Sequence, residues 1–167
     1  MPLIHCIYAS GAAPGCTDAE IQDLLTRSRE QNALAGVTGI LVSAEGSFFQ
    51  VLEGEAAVVD ALYARIASDR RHTRVTLIIR EPIARRAFAN WSMGYLSMTS
   101  ADLASLLRGK ASVRSRLASA QPALAGHAWL SQVDEGRAKK LLAAFAGGRW
   151  RSRPARAHLR PRQSRAA

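Results

Sequence analysis

Short apolar runs alternate along this chain with stretches of helical periodicity, which predicts an α+β domain of order βαββαββ. Two helices would cover one face of the sheet and C-terminal helices the other. Three observations carry this. Residues 39–54 read as a β-hairpin, two apolar runs around the turn Ser43-Ala44-Glu45-Gly46. A segment with apolar residues at i, i+3, i+4 and i+7 lies on each side of it. The strand faces turned away from those helices carry Leu3, Ile7, Phe49 and Val51, a surface that needs its own cover. The order is the split βαβ of ferredoxin-like folds with one strand added.

The first strand is the near-continuous apolar run 2–10. Alternation puts Ile4, Cys6, Tyr8 and Ser10 on one face and Leu3, His5, Ile7 and Ala9 on the other. After the loop 11–15, Thr17-Asp18-Ala19-Glu20 has the form of a capping box, and Ile21, Leu24, Leu25 and Ser28 continue a helix to about Asn32. Gly36 stops or follows it. In the hairpin, Phe48, Gln50 and Leu52 share one face while Phe49 and Val51 share the other. Val59, Leu62, Tyr63 and Ile66 then mark a second helix over 56–68, which the charged run Asp69-Arg70-Arg71-His72 ends. Val75 to Ile79 is rich in β-branched residues and predicts a strand. Residues 88–95 predict a last strand or an irregular loop containing one. Thr99 begins a helix with Leu103, Leu106 and Leu107 on one side, and Ala138, Leu141, Leu142 and Phe145 form a later apolar stripe ending at Gly147-Gly148. At least one of these helices is expected on the bare face of the sheet. The stretch 110–131 follows neither period.

These boundaries divide the chain into a folded domain over 1–97, a helical extension over 98–147 and a basic, Arg-rich tail over 148–167, which has too little apolar content to order itself and is expected to be disordered. The net charge of +10 belongs mostly to the tail: seven of the 23 basic residues are arginines within 147–167, where there is no acid. The sixteen basic residues left face thirteen acidic ones, so the folded part is nearly balanced. Such a tail suits nucleic acid, an anionic surface or no partner at all. No apolar run approaches the ~20 residues of a membrane span, and the N-terminus lacks a signal-peptide pattern, so a cytoplasmic location is expected. Cys6 and Cys16 make no disulfide framework and are expected as free thiols.

Metal and hydrolase chemistry find no support. His5, His72, His127 and His158 are scattered, and neither cysteine lies in a CxxC pair. Gly36-Val37-Thr38-Gly39 opens a strand rather than a helix, unlike a phosphate-cradling loop, and no nucleophile elbow is present. What stands out is polar residues on faces that should be apolar: Tyr8, Gln50, Asn32, and Arg65 with Asp69 one turn on. Leu24 or Leu25, Ile66, Ile40 and Phe48 surround them. Taken singly, each has an ordinary explanation, such as a core tyrosine, a helix-end asparagine or a surface ion pair. Together they describe a slot between two helices that takes a flat ring, aliphatic above and below and ringed by amides.

Five blocks then identify a resemblance. They are Ile7-Tyr8-Ala9-Ser10; Ser28 to Asn32 with Gly36-Val37-Thr38-Gly39; Phe48-Phe49-Gln50-Val51-Leu52-Glu53-Gly54; Ile66 with Asp69-Arg70-Arg71-His72; and Arg86-Ala87-Phe88 with Trp91-Ser92-Met93-Gly94. In this collinear order, over residues 3–95, the chain resembles the BLUF family of flavin-binding blue-light sensors and looks like a short member of it. The resemblance implies a flavin, FAD or FMN, held between the two helices. Tyr8 and Gln50 would be the photoactive pair. Tyr8, Leu24, Asn32, Ile40, Phe48, Gln50, Arg65, Ile66, Asp69 and His72 would line the cofactor, with Leu24 and Ile66 sandwiching the ring. Trp91 and Met93, placed on the last strand, would relay the signal. Gly11 and Gln31 stand where the family often has other residues.

The implied mechanism suits these residue types. The excited flavin draws an electron and a proton from Tyr8, and Gln50 exchanges donor for acceptor by rotating or tautomerising. The flavin C4 carbonyl gains a hydrogen bond, its absorption shifts to the red, and the electron returns without turnover. The chain would then be a sensor and not an enzyme. It would be expected to self-associate and to act on a downstream signalling protein. The competing reading is a ferredoxin-like nucleic-acid module using the basic tail, which requires exposed aromatics on the sheet.

Overall fold

In the computed structural model, the residues described are 1–109 and 137–151. The stretch 110–131, to which the sequence assigns no element, and all of the tail beyond residue 151 lie outside them. Five strands and the two helices between them follow the predicted order: β1 (Leu3–Ala12), α1 (Asp18–Ala35), β2 (Thr38–Ala44), β3 (Ser47–Glu55), α2 (Ala56–Ala67), β4 (His72–Pro82) and β5 (Gly94–Ser97). Among the described residues two further helices follow, α3 (Ser100–Leu107) and α4 (Arg137–Ala146). The strands lie in the order β4-β1-β3-β2-β5, antiparallel except for β2 beside β5. This is the ferredoxin-like α+β arrangement with one strand added.

Local chemistry sets the elements. The capping box forms: the Glu20 amide donates to Thr17 Oγ1 and the Thr17 amide to the Glu20 carboxylate. Helix α1 runs one turn past Asn32, to Gly36. The hairpin turn is tighter than predicted. Only Glu45 and Gly46 leave the ladder, with φ of 49° and 74°, the positive values that two-residue hairpin turns favour. Strand β4 is longer than its apolar centre. It pairs with β1 from Ile4↔Pro82 to Ala12↔His72, so His72 opens the strand and does not close the helix. Because β4 is an edge strand, its polar ends need no burial to be ordered.

The sheet divides the core in two. Ile4, Cys6, Tyr8, Leu41, Phe48 and Leu52 pack against Ile21 and Leu25 of α1 and Val59 of α2. On the far face Ile7, Ile40, Val42, Phe49 and Val51 pack against Leu103 and Leu106 of α3 and Leu142 and Phe145 of α4. The rings of Phe49 and Phe145 lie 5.5 Å apart. The bare face is therefore covered as expected, and the aromatic surface a nucleic-acid module would need is buried. Helix α4 is tied to the edge strand through Glu81, whose two carboxylate oxygens meet His5 Nε2 at 3.0 Å and Arg137 Nη1.

Two site expectations are corrected by this geometry. Ile40 lies on the far face, 2 % exposed, because it pairs with Val51; Leu41, which pairs with Gln50, faces the helices instead. Trp91 and Met93 precede β5 rather than occupying it. In a strand, residues two apart would share a face. The irregular backbone here sends Trp91 to the far-face core, stacked on Phe88 at 6.3 Å, and Met93 to the helix face.

Candidate functional site

A cavity of about 300 Å³ opens between α1 and α2 above the helix face of the sheet. Its walls include Leu24, Asn32, Phe48, Gln50, Arg65, Ile66, Asp69, His72 and Met93, so the structure brings together eight of the ten predicted cofactor residues and one of the two relay residues. Tyr8 lies beneath the wall and is fully buried. Ile40 does not take part. Leu41 is the residue the expectation missed, and parity within the hairpin was the signal: a turn with an even number of residues outside the ladder, as here, puts 41 and 48 on one face.

The inner end is a short chain of hydrogen bonds. In the register of β1 and β3, Tyr8 stands opposite Gln50, and its hydroxyl donates to Gln50 Oε1. Gln50 Nε2 in turn donates to Met93 Sδ at 3.3 Å. The amide orientation follows from these partners. Reversed, Oε1 would face a sulfur that has no proton to give. Burial above all, with Cys6, Tyr63 and Asp69 adding to it, pushes the Tyr8 phenol well above its usual range, so it keeps its proton at any working pH. The Tyr63 ring packs on it at 5.5 Å.

Asn32 is buried as a helix residue should not be unless its amide is met. Its Nδ2 donates to Ser92 O at 2.9 Å, which leaves its carbonyl oxygen as the group available to a ligand's N–H. The outer end is charged. Arg65 donates to Gln31 Oε1 at 3.3 Å rather than to Asp69. Asp69 is taken by Arg71, whose backbone amide and Nε donate to it at 2.9 and 3.0 Å, and this holds its carboxyl down at about 2. The cavity thus grades from buried amides to exposed cations, with Leu24, Leu25, Leu62 and Ile66 along its sides. A flat heteroaromatic ring with a polar edge and an anionic chain fits that gradient, and a flavin has both.

His72 bonds Ser10 Oγ through Nδ1 at 2.9 Å and lies 5.5 Å from the Phe48 ring. Burial pushes its pKa below the ordinary 6.5; Asp69 opposes this and Arg71 assists it. The unfolded chain therefore protonates first, and stability is expected to fall as pH drops below about 6.5, levelling off once the folded ring is charged. Asp69 acts in a lower window, its contribution lost between 3.8 and about 2. Urea unfolding of the flavin-loaded protein between pH 7 and 5 should show a shallower decline in His72→Gln; equal slopes would remove His72 as the cause.

Comparison with known proteins agrees with the geometry. A model of the family BLUF, sensors of blue light using FAD, matches residues 3–94, more than half of the chain. Photoactivated adenylate cyclase subunit beta of Euglena gracilis is 32% identical over 87 residues, which are 52% of this chain and 10% of that protein. The chain thus spans about a tenth of the curated relatives it matches. Among solved structures, BlrP1 of Klebsiella pneumoniae with FMN and cyclic diGMP is 28% identical, with a TM-score of 0.65 over 87% of this chain and 35% of that one. The dark state of BlrB, a BLUF protein, is 27% identical with a TM-score of 0.58, covering 86% of this chain and 97% of its own. A matched family model, a shared fold and a slot whose inner wall holds an amide bonded to a buried phenol lead to one conclusion: the chain belongs to the BLUF family of flavin blue-light sensors.

Proposed function

We propose that the Tyr8–Gln50–Met93 chain of hydrogen bonds is the light-responsive element of this sensor, and that its change reaches a partner protein through residues 86–93 and the far-face helices. The bond from the Tyr8 hydroxyl to Gln50 Oε1 carries this reading, since it puts a protonated phenol and a reversible amide at the closed end of the cavity. A bound FAD or FMN supplies absorption of blue light and an excited state that accepts an electron. Asn32 would hold the polar edge of the ring, Leu24 and Ile66 its faces, and Arg65 its outer end. With that group bound, Tyr8 would give its electron to the ring and its hydroxyl proton along the bond to Gln50, and would regain both, so nothing would be consumed. Gln50 passes between two arrangements in which Oε1 and Nε2 exchange roles, by rotation or tautomerisation. Only the present arrangement satisfies both Tyr8 and Met93.

The output follows from where the two relay residues lie. Met93 touches Gln50, while Trp91, two residues earlier, packs on the core shared with α3 and α4. A shift of Met93 therefore bears on both faces of the sheet at once. We read the chain as a cytoplasmic, self-associating sensor that regulates a separate signalling protein. Among the described residues no helix is long and apolar enough to cross a membrane.

The test is a light-minus-dark spectrum of the purified, flavin-loaded protein. Wild type should show a reversible red shift of the flavin band, and Tyr8→Phe should bind flavin and show none. An unchanged shift in Tyr8→Phe would contradict the role given to Tyr8.

A further inference from the structure

The segment 83–93, which joins β4 to β5, wraps the edge of the sheet beside β2. Although irregular, it is pinned at both ends. At its C-terminal end three successive carbonyls are held: Trp91 O accepts from Gly39 N at 2.9 Å, Ser92 O from Asn32 Nδ2 at 2.9 Å and Met93 O from Arg29 Nε at 3.0 Å. At its start Ile83 N donates to Leu3 O at 3.0 Å, and midway along it the pin is Glu53, 1 % exposed. Its Oε1 accepts from Ala87 N at 2.9 Å, and its Oε2 accepts from Phe88 N at 3.0 Å and Thr38 Oγ1 at 3.3 Å. Arg86 closes the node from the other side, donating to Glu53 O at 2.8 Å, Thr38 Oγ1 at 2.9 Å and Gly36 O at 2.6 Å.

A buried carboxylate is costly unless its lone pairs are met. Here two backbone N–H groups and a hydroxyl meet them, which makes Glu53 a geometric device as well as a stabilising one. It fixes two consecutive residues of a segment that has no ladder of its own. It also sits on the same strand as Gln50, three residues on and on the opposite face. Strand β3 therefore holds the switching amide directly and holds the amide's other partner, Met93, through the pinned segment.

We propose that Glu53 is a positioning residue for the light response: by clamping residues 87–88 it keeps Met93 seated against Gln50 and so speeds the return to the dark hydrogen-bond arrangement. This rests on the role given above to Gln50. With the clamp loosened, Gln50 Nε2 loses a preorganised acceptor, and the dark arrangement is regained more slowly.

The experiment is the decay of the light-minus-dark signal, in darkness, for the full flavin-loaded chain carrying Glu53→Gln. Glutamine keeps the shape but turns an NH₂ toward one of the two backbone N–H donors. The expected result is an unchanged dark spectrum, a red shift of wild-type size and recovery slower by about fivefold or more. Recovery within about twofold of wild type, or faster, overturns the proposal, even if thermal stability falls, because a purely structural role lowers stability without touching that rate. So does loss of the red shift itself. Should Glu53→Gln not load flavin, Thr38→Val decides by the same criterion, since it removes the hydroxyl shared by Glu53 and Arg86. A wild type that shows no red shift would instead refute the reading of the Tyr8–Gln50 site.

Discussion

Gly39→Ala is expected to be the most destabilising single methyl added to this domain. A Cβ at residue 39 would stand 2.0 Å from Val51 O and 3.0 Å from Val51 C. The obstacle is the backbone of the neighbouring strand and not the end of a flexible side chain, so no rotamer change relieves it. Strand β2 would have to move away from β3 where Gly39 pairs with Leu52, and the same movement would pull Gly39 N from Trp91 O. Overpacking a core costs roughly 1–3 kcal/mol, occasionally more, and a clash with main chain belongs at or above the top of that range. About 3 kcal/mol corresponds to a fall in Tm of about 10 °C for a chain of this size. It is also a large share of the ~5–15 kcal/mol available to a domain. Thermal unfolding of the loaded protein reads this directly. A fall of less than about 3 °C would show that β2 and β3 can separate here at little cost. A second consequence follows for the site. Leu41, two residues on, forms part of the cavity wall, so flavin retention should weaken in parallel.

The regular parts of this fold were legible because they have a period. Alternation alone placed Tyr8, Phe48, Gln50 and Leu52 on one face and Ile7, Phe49 and Val51 on the other, and the structure keeps that division. The i, i+3, i+4 stripes likewise gave both helices and the far-face cover from Leu103, Leu106, Leu142 and Phe145. Where period fails, the reading failed or fell silent. Trp91 and Met93 would share a face in a strand, yet irregular backbone sends them to opposite layers. Glu53 sits in a run that reads as ordinary strand, and nothing local shows that its carboxylate will meet the amides of Ala87 and Phe88, more than thirty residues later. Arg29 reads as a solvated helix residue because its partner is a main-chain carbonyl, which has no identity in a sequence. The Ile40 error is of another kind, since the alternation that placed Phe48 also places Leu41 beside it.

Gln50→Leu should abolish the light response while leaving a protein that still folds and still binds flavin. Leucine has nearly the volume of glutamine and suits the apolar layer formed by Leu41, Phe48 and Leu52. It removes both polar contacts of residue 50. The loss at Met93 Sδ is small, because a thioether is a weak acceptor whose desolvation costs little. The loss at Tyr8 is larger: a fully buried hydroxyl without a partner costs roughly 1–3 kcal/mol. That is a measurable drop in stability but not enough to unfold the domain. What leucine cannot do is present a donor at one end and an acceptor at the other, or exchange them. The phenol then has no amide through which to lose and regain its proton, and no second hydrogen-bond arrangement exists for light to populate. The absorption spectrum before and after blue light should therefore coincide, with flavin content near that of wild type. A red shift of even half the wild-type size in Gln50→Leu would mean that the change arises from another group on the cavity wall, and Asn32 would be the first to examine, since its amide is the other one buried there.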